Sequence, residues 1–297
     1  MLYNYSFIIP HKNCPDLLQR CVDSIPERDD VQVIVVDDNS EEGKKPSLKE
    51  RKNLQVILLD AEHSKGAGRA RNVGLEHAVG KWLLFADADD YYTKEYLGKI
   101  LQKYEQDIIT DMVFINARMF NEKNETKALK LNSLIDSYEN NVVNAEIFLR
   151  YNFWTPWSRM IKRNIVSSHN VVFDETMARN DKNFVLECSV LAKTIAVEPI
   201  MAYNYFRPSF GSQTDRKRTV ALLDDMIQIT SRTNNIYERA RYQYRYSYLQ
   251  LFWHTTFVNG MKKKDIFCKY LSALYSNKTN LFIDVVRFLK NKYKNKL

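Results

Sequence analysis

Through residue 120 the chain alternates short apolar runs with stretches whose apolar positions recur every three or four residues. Residues 6–9 form a short apolar run that predicts a strand ended by Pro10. Leu17, Leu18, Cys21, Val22 and Ile25 share one helical face, and Pro15 suits the first turn of that helix. Residues 31–36 are rich in β-branched side chains, the pattern of a strand covered on both faces, and they run into Asp37 and Asp38. A third strand is predicted over 54–59, a helix over 69–79 closed by Gly80, and a fourth strand over 82–86. A helix from Thr93 to about Tyr104 and a fifth strand over 112–117 complete this half.

Strands alternating with helices predict parallel pairing through right-handed crossovers, with ligands outside the carboxyl ends of the strands. The acidic ends Asp37/Asp38 and Asp87/Asp89 should therefore converge on one crevice. Residues 121–141 are polar and read as a surface excursion. Beyond them the pattern predicts a helix over 145–151, a short strand over 171–173 and a helix over 181–192 with Asn180 as N-cap. After residue 219 the chain reads as helical to its end. The expected class is α/β: a Rossmann-like, mainly parallel sheet flanked by helices, with a helical C-terminal extension. The expected division is 1–214, split near 120, and 215–297.

The run Leu84-Phe85-Ala86 stops in Asp87, Asp89 and Asp90. In an extended chain Asp87 and Asp89 project to one side, about 7 Å apart. Such carboxylates repel unless a cation lies between them, and a hard divalent ion carrying a phosphate fits. An acidic turn capping the helix at Thr93 is the alternative.

With 18 Tyr, 15 Phe and only 8 Gly in 297 residues, the chain is neither disordered nor of low complexity. A net charge of +8 favours acidic partners: phosphorylated metabolites, nucleic acid or an anionic membrane. Nucleic acid is disfavoured, because basic residues are spread along the chain and acidic strand ends occupy the crevice. Four cysteines without metal-ligand spacing, no apparent signal peptide and no long apolar run predict a cytoplasmic protein.

Four segments in order, Phe-Ile-Ile-Pro-His-Lys-Asn (7–13), Val-Ile-Val-Val-Asp-Asp-Asn-Ser (33–40), Gly-Ala-Gly-Arg-Ala-Arg-Asn-Val-Gly (66–74) and Leu-Phe-Ala-Asp-Ala-Asp-Asp-Tyr-Tyr (84–92), resemble the family 2 glycosyltransferases of the GT-A fold. A weaker match continues to about 214. The resemblance implies a nucleotide-sugar-binding half over 1–120 and an acceptor half over 121–214. It implies that Asp38 reads the uracil of a UDP-sugar, that the backbone around Pro10 and His11 frames the base, and that Arg71 lies at the nucleotide. Asp87-Ala-Asp89 matches the family's Asp-x-Asp motif. Asp89 would ligate Mn or Mg, and Asp87 would touch the ribose or the metal's water shell. Asp90 would face the sugar or acceptor, or cap the helix.

The resemblance also implies an inverting enzyme, whose base takes the acceptor hydroxyl's proton on the face opposite the diphosphate. Asp181 fits that place, with Phe184 packing inward one turn later, and Asp174 and Glu175 compete for it. Asn180 stands where the family commonly carries an acidic residue. Arg69 either pairs with the diphosphate or the acidic turn or lies on a solvated helix face. Trp154 and Trp157 either stack on a sugar ring or belong to the core, and Arg207 and Ser212 either contact phosphate or acceptor or sit on a loop. The implied role is sugar transfer to a hydroxyl in surface polysaccharide or glycolipid synthesis, with a glycan or lipid-linked glycan as acceptor. A sugar-nucleotide pyrophosphorylase would need a glycine-rich loop that Pro10 to Pro15 lacks. A relative that binds but no longer catalyses is the other alternative, and Asn180 alone encourages it.

Near the C-terminus, Leu281, Phe282, Val285, Val286, Leu289 and Tyr293 trace one helical face among lysines. Such a helix either docks on its own domain or rests peripherally on an anionic membrane surface, here the inner face.

Overall fold

The structure, a computed structural model, describes residues 3–121, 123, 125–207, 220–253 and 263–294. Four strands, β1 (Tyr5–His11), β2 (Val31–Asp37), β3 (Leu54–Leu58) and β4 (Trp82–Phe85), pair in parallel in the spatial order β3-β2-β1-β4. The helices α1 (Pro15–Asp23) and α2 (Ala67–His77) make two of the connections. Every residue of β2 is buried, as its β-branched composition predicts, while β3 at the sheet edge leaves Gln55, Val56 and Leu58 exposed.

Two local expectations fail for physical reasons. Pro10 does not end β1, which continues to His11. Pairing with β4 stops at Ile8–Phe85, so beyond it only β2 lies alongside, and the missing N–H of Pro10 is tolerated where one flank is open. Gly80 does not cap α2, whose C-cap is the extended Ala78. A Cβ at Gly80 would stand 2.6 Å from the Ser6 nitrogen, and the Gly80 N–H donates to Ser6 Oγ at 2.8 Å. The glycine lets the turn press onto β1.

Beyond β4 the sheet is mixed. After β5 (Tyr91–Tyr92) and α3 (Lys94–Tyr104) comes β6 (Met112–Phe120), three residues longer than the reading of 112–117. The polar segment 121–141, read as a surface excursion, holds β7 (Thr126–Lys127) and α4 (Lys130–Glu139). Only Leu131, Leu134 and Ile135 bury α4, a stripe too short to stand out among Asn, Lys and Glu. Then follow α5 (Ala145–Asn152), β8 (Arg159–Lys162), α6 (Arg163–Ser168), α7 (Lys182–Leu191) and β9 (Ile195–Phe206). Strand β8 runs antiparallel between β4 and β6, and β9 runs parallel to β6.

Residues 171–173 are not a strand. Instead the Phe173 N–H donates to the Asn72 side chain at 2.8 Å. Helix α7 takes Asp181, not Asn180, as its N-cap residue. Phe173 and Phe184 stack with centroids 3.8 Å apart, and Phe85 meets both rings edge-on. This aromatic trio seats the first turn of α7 over the end of β4.

The C-terminal part is helical: α8 (Val220–Arg239), α9 (Tyr248–Trp253), α10 (Lys263–Ser276) and α11 (Leu281–Lys294). It has an apolar cluster of its own around Tyr248, Phe252 and Tyr270. Helix α8 also packs on α7, where Thr233 Oγ1 donates to Asn183 Oδ1 at 2.7 Å. The proposed boundary near 214 and Ser212 lie outside the described residues.

Candidate active site

The carboxyl ends of β1, β2 and β4 meet at one edge of the sheet. The Asp38 N–H donates to the His11 carbonyl at 2.9 Å, tying two strand ends together. The His11 side chain is turned inward: Nδ1 lies 2.7 Å from Asp37 Oδ1, and Nε2 accepts from the Cys14 N–H at 3.2 Å. Because Nε2 accepts, the ring proton sits on Nδ1 and is donated to Asp37. Asp37 also accepts from the Ser40 N–H and hydroxyl, so it anchors the turn through Asn39, whose φ is +57°. Asp38 is buried and points toward α2. It accepts from Ser64 Oγ at 2.9 Å, the Gly66 N–H at 3.1 Å and Lys12 Nζ at 3.1 Å.

Helix α2 approaches the opposite wall without a side chain between them. A Cβ on Gly68 would fall 2.1 Å from the Asp174 carbonyl. That contact brings Arg71, three residues on, into the crevice. Its Nη2 donates to Asp87 Oδ1 at 2.5 Å and its Nη1 to Asn180 Oδ1 at 2.9 Å, with the guanidinium over the Phe173 ring. One buried cation thus joins the end of β4 to the residue before Asp181. Arg69 is only partly exposed and stands 3.5 Å from Glu76 and 3.7 Å from Glu175.

The three carboxylates after β4 have three different surroundings. Asp87 pairs with Arg71. Asp90, expected at the sugar or the acceptor or as a cap of the next helix, is fully buried, and the N-cap of α3 is Thr93. One of the Asp90 oxygens accepts from the Tyr203 hydroxyl at 2.6 Å and the other from the Phe206 N–H at 2.6 Å. Neither oxygen is left to meet a substrate, and Asp90 serves as the anchor of the turn. Asp89 receives no hydrogen bond from any side chain among the described residues. Its backbone carbonyl is held by Arg20 Nη2 at 2.6 Å, and Arg20 lies over the Tyr91 ring. Burial, reinforced by the charge of Asp87, lifts the Asp89 carboxyl to about 6.

Asp181 closes the site at the N-terminus of α7. Burial raises its pKa, the positive charge of Arg71 opposes that rise, and Asp87 adds to it. The competing carboxylates have cations of their own: Asp174 accepts from Arg232 Nη1 at 2.6 Å, and Glu175 stands 3.5 Å from Lys65. Trp157 is core, stacked on Tyr203 at 4.7 Å. Trp154 is half-buried and faces Lys182 Nζ at 4.5 Å. Arg207 is exposed.

Among the described residues no three His, Cys, Asp or Glu side chains gather as a metal cage. The carboxylates that could hold a metal are Asp89 and, near it, Asp87. That pair suits Mg or Mn, which takes one or two protein carboxylates and completes its shell with phosphate and water. Among the described residues no cationic side chain bonds the Asp89 carboxylate, and Arg20, held on the Asp89 backbone carbonyl, acts on it only through its charge.

The profile of glycosyl transferase family 2 matches residues 6–169, more than half of the chain. The chain belongs to glycosyl transferase family 2. A poly(ribitol-phosphate) beta-glucosyltransferase of Bacillus spizizenii is 24% identical over 210 residues, covering 67% of this chain and 32% of that protein. This chain therefore spans about a third of that relative. An Escherichia coli protein named UDP-Glc:alpha-D-GlcNAc-diphosphoundecaprenol beta-1,3-glucosyltransferase WfaP is 24% identical over 226 residues, 71% of this chain and 80% of its own. The solved structure of S. aureus TarS 1-349 in complex with UDP-GlcNAc superposes with a TM-score of 0.59 at 18% identity, covering 92% of this chain and 72% of the other. The likeness establishes the GT-A architecture that the family 2 segments imply.

Sequence reasoning missed Tyr203 and Arg20 as members of the site. Tyr203 reaches Asp87 and Asp90 from β9, more than a hundred residues away, and no local spacing could announce it. Arg20 sits on α1 one residue before Cys21, where it reads as an ordinary exposed helix position.

Proposed function

We propose that this family 2 member is an inverting glycosyltransferase that moves a sugar from a UDP-linked donor to an acceptor hydroxyl in surface polysaccharide or glycolipid synthesis. One observation carries the reading. Asp37, Asp38, Asp87, Asp90, Asp174 and Glu175 each face a donor or cation of the protein, whereas no side chain among the described residues donates a hydrogen bond to Asp89 or Asp181, which feel Arg20 and Arg71 only through their charge. A cleft with one carboxylate free of hydrogen-bonding side chains for a phosphate-bearing cation and a second for a proton has the two parts that inverting transfer needs.

In this reading Asp38 accepts from the base and Arg71 draws the diphosphate toward Asp87. Asp89, with Asp87 assisting, would hold Mn or Mg, which would supply countercharge to the departing diphosphate. The acceptor oxygen forms its bond to the anomeric carbon while the bond to the diphosphate oxygen breaks, and the departing oxygen keeps the electron pair. Asp181 takes the acceptor proton. Its raised pKa makes it a better base than a solvated carboxylate. The printed names of the relatives, a poly(ribitol-phosphate) and a diphosphoundecaprenol-linked sugar, support a polymeric or lipid-linked acceptor.

The test is UDP release across a panel of UDP-sugars, with and without Mn, for the wild type, Asp89→Ala and Asp181→Ala. Asp89→Ala should lose Mn-dependent donor binding. Asp181→Ala should bind donor normally and lose about 10²- to 10⁴-fold in transfer. Normal transfer by the Asp181 variant would overturn the assignment of the base.

A further inference from the structure

Helix α10 packs inward through Ile266, Tyr270, Ala273 and Leu274, whereas α11 is attached through polar side chains. On α11 the buried residues are Asp284 and Asn291, one heptad apart. Asp284 accepts from the Tyr248 and Leu249 N–H groups at 2.9 and 2.8 Å and from the Tyr270 hydroxyl at 3.1 Å, while Asn291 donates to the Arg245 carbonyl. The apolar side faces outward: Leu281, Phe282, Ile283 and Leu289 are exposed, Phe282 by 75%. The helix is docked on its own domain, one of the two expectations for it, but through Asp284 and Asn291, with much of its apolar face left outside. Four residues, 277–280, separate α11 from α10. On α10, Phe267, Leu271 and Tyr275 recur every four residues along one face and are exposed, Tyr275 by 88%.

Charge distinguishes this region again. Basic residues are spread along the chain, but their excess is not. Of the 44 basic and 36 acidic residues, residues 262–297 hold ten and two. Residues 1–261 are therefore electrically neutral overall, and the entire net charge of +8 belongs to this C-terminal segment. Lys264, Lys278 and Lys290 are exposed, and of the segment's two acids one, Asp284, is buried. No helix among the described residues is long and apolar enough to cross a membrane.

We propose that the outer face of α10 and α11 is a docking surface for an anionic lipid bilayer, with Phe282, Leu289 and Tyr275 entering the interface and the surrounding lysines meeting lipid headgroups. Exposed aromatic and aliphatic side chains beside concentrated positive charge are what an in-plane interfacial helix requires, since apolar burial and attraction to anionic lipid add. A soluble acidic ligand would use the charge alone. A second copy of this chain would bring the same +8 against itself.

The experiment is co-sedimentation of the full chain with vesicles of phosphatidylcholine alone or with phosphatidylglycerol. The variants are Phe282→Ser/Leu289→Ser and Lys278→Ala/Lys290→Ala, with melting temperature as control for folding. The wild type should bind the anionic vesicles and not the neutral ones. The lysine pair should weaken binding by about 25-fold, at about 1 kcal/mol per lysine. The apolar pair should weaken it at least as much while high salt leaves its residual binding nearly absent. Failure of the wild type to bind anionic vesicles, or binding untouched by the apolar pair, would overturn the proposal. So would self-association of the wild type that the apolar pair abolishes, which would give the face to a second copy.

Discussion

The Tyr203 hydroxyl donates to the Asp90 carboxylate at 2.6 Å and at the same oxygen accepts from the Asp87 N–H at 3.0 Å. A single phenol on β9 therefore fixes both ends of the acidic turn, and Asp89 lies between them. Tyr203→Phe leaves a buried carboxylate and a backbone N–H without their partner. The expected cost is about 2 kcal/mol in thermal unfolding. Donor affinity in the presence of Mn should fall more than affinity for UDP without it, measured by calorimetry. Unchanged Mn-dependent binding would mean that the turn holds its shape without Tyr203.

Arg71→Lys should be nearly as damaging as Arg71→Ala. The guanidinium serves Asp87 and Asn180 from two different nitrogens, and a single ammonium cannot span both. Transfer should drop at least about 100-fold in both variants, near 3 kcal/mol of lost transition-state stabilisation. Full activity in the lysine variant would show that only the charge is needed.

The raised Asp89 carboxyl has a consequence for stability with the usual sign reversed. Its folded-state pKa is about 6 against an ordinary 3.8, so between these values the folded chain holds more protons than the unfolded one. Its contribution to stability is therefore lost as pH rises through this window, up to about 3 kcal/mol by pH 7. In chelator, Asp89→Asn should melt higher than the wild type at pH 7.5, and the difference should close by pH 4. An equal or lower melting temperature at pH 7.5 would contradict the assigned surroundings of Asp89.

Asn180→Asp tests the neutral residue beside the candidate base. An added carboxylate next to Asp181 disfavours its ionisation, so the acidic limb of kcat should move to higher pH. Arg71 will be drawn toward the new charge and away from Asp87, and KM for the donor should rise. A pH profile that does not move would separate residue 180 from the chemistry.

The gathering of Asp38, Asp87 and Asp89 at one edge of the sheet was legible, because each follows the end of a strand whose hydrophobic run can be counted. Arg71 entered only through the resemblance of residues 66–74 to the family. The division of labour among Asp87, Asp89 and Asp90 was not legible, since it is set by Tyr203, Phe206 and Arg20 from elements distant in sequence. The end of β1 was misread at Pro10 because a proline's effect depends on whether the neighbouring strand is still present. Helix α4 was hidden by a short apolar stripe, whereas α11 was legible as a helix and only its orientation was not. Its apolar and polar faces are both clear in the sequence, but which one turns inward depends on Asp284 finding the N–H groups of Tyr248 and Leu249.

The tie between Thr233 and Asn183 bears on how such a protein can evolve. Asn183 lies two residues after Asp181, and Arg232 beside Thr233 holds Asp174 on the same wall. A substitution that shifts α8 at Arg232 or Thr233 will therefore be felt at the first turn of α7, where Asp181, the proposed base, stands. Helix α8 is thus not an interchangeable module: drift in its sequence is constrained by the wall of the cleft as well as by its own apolar packing.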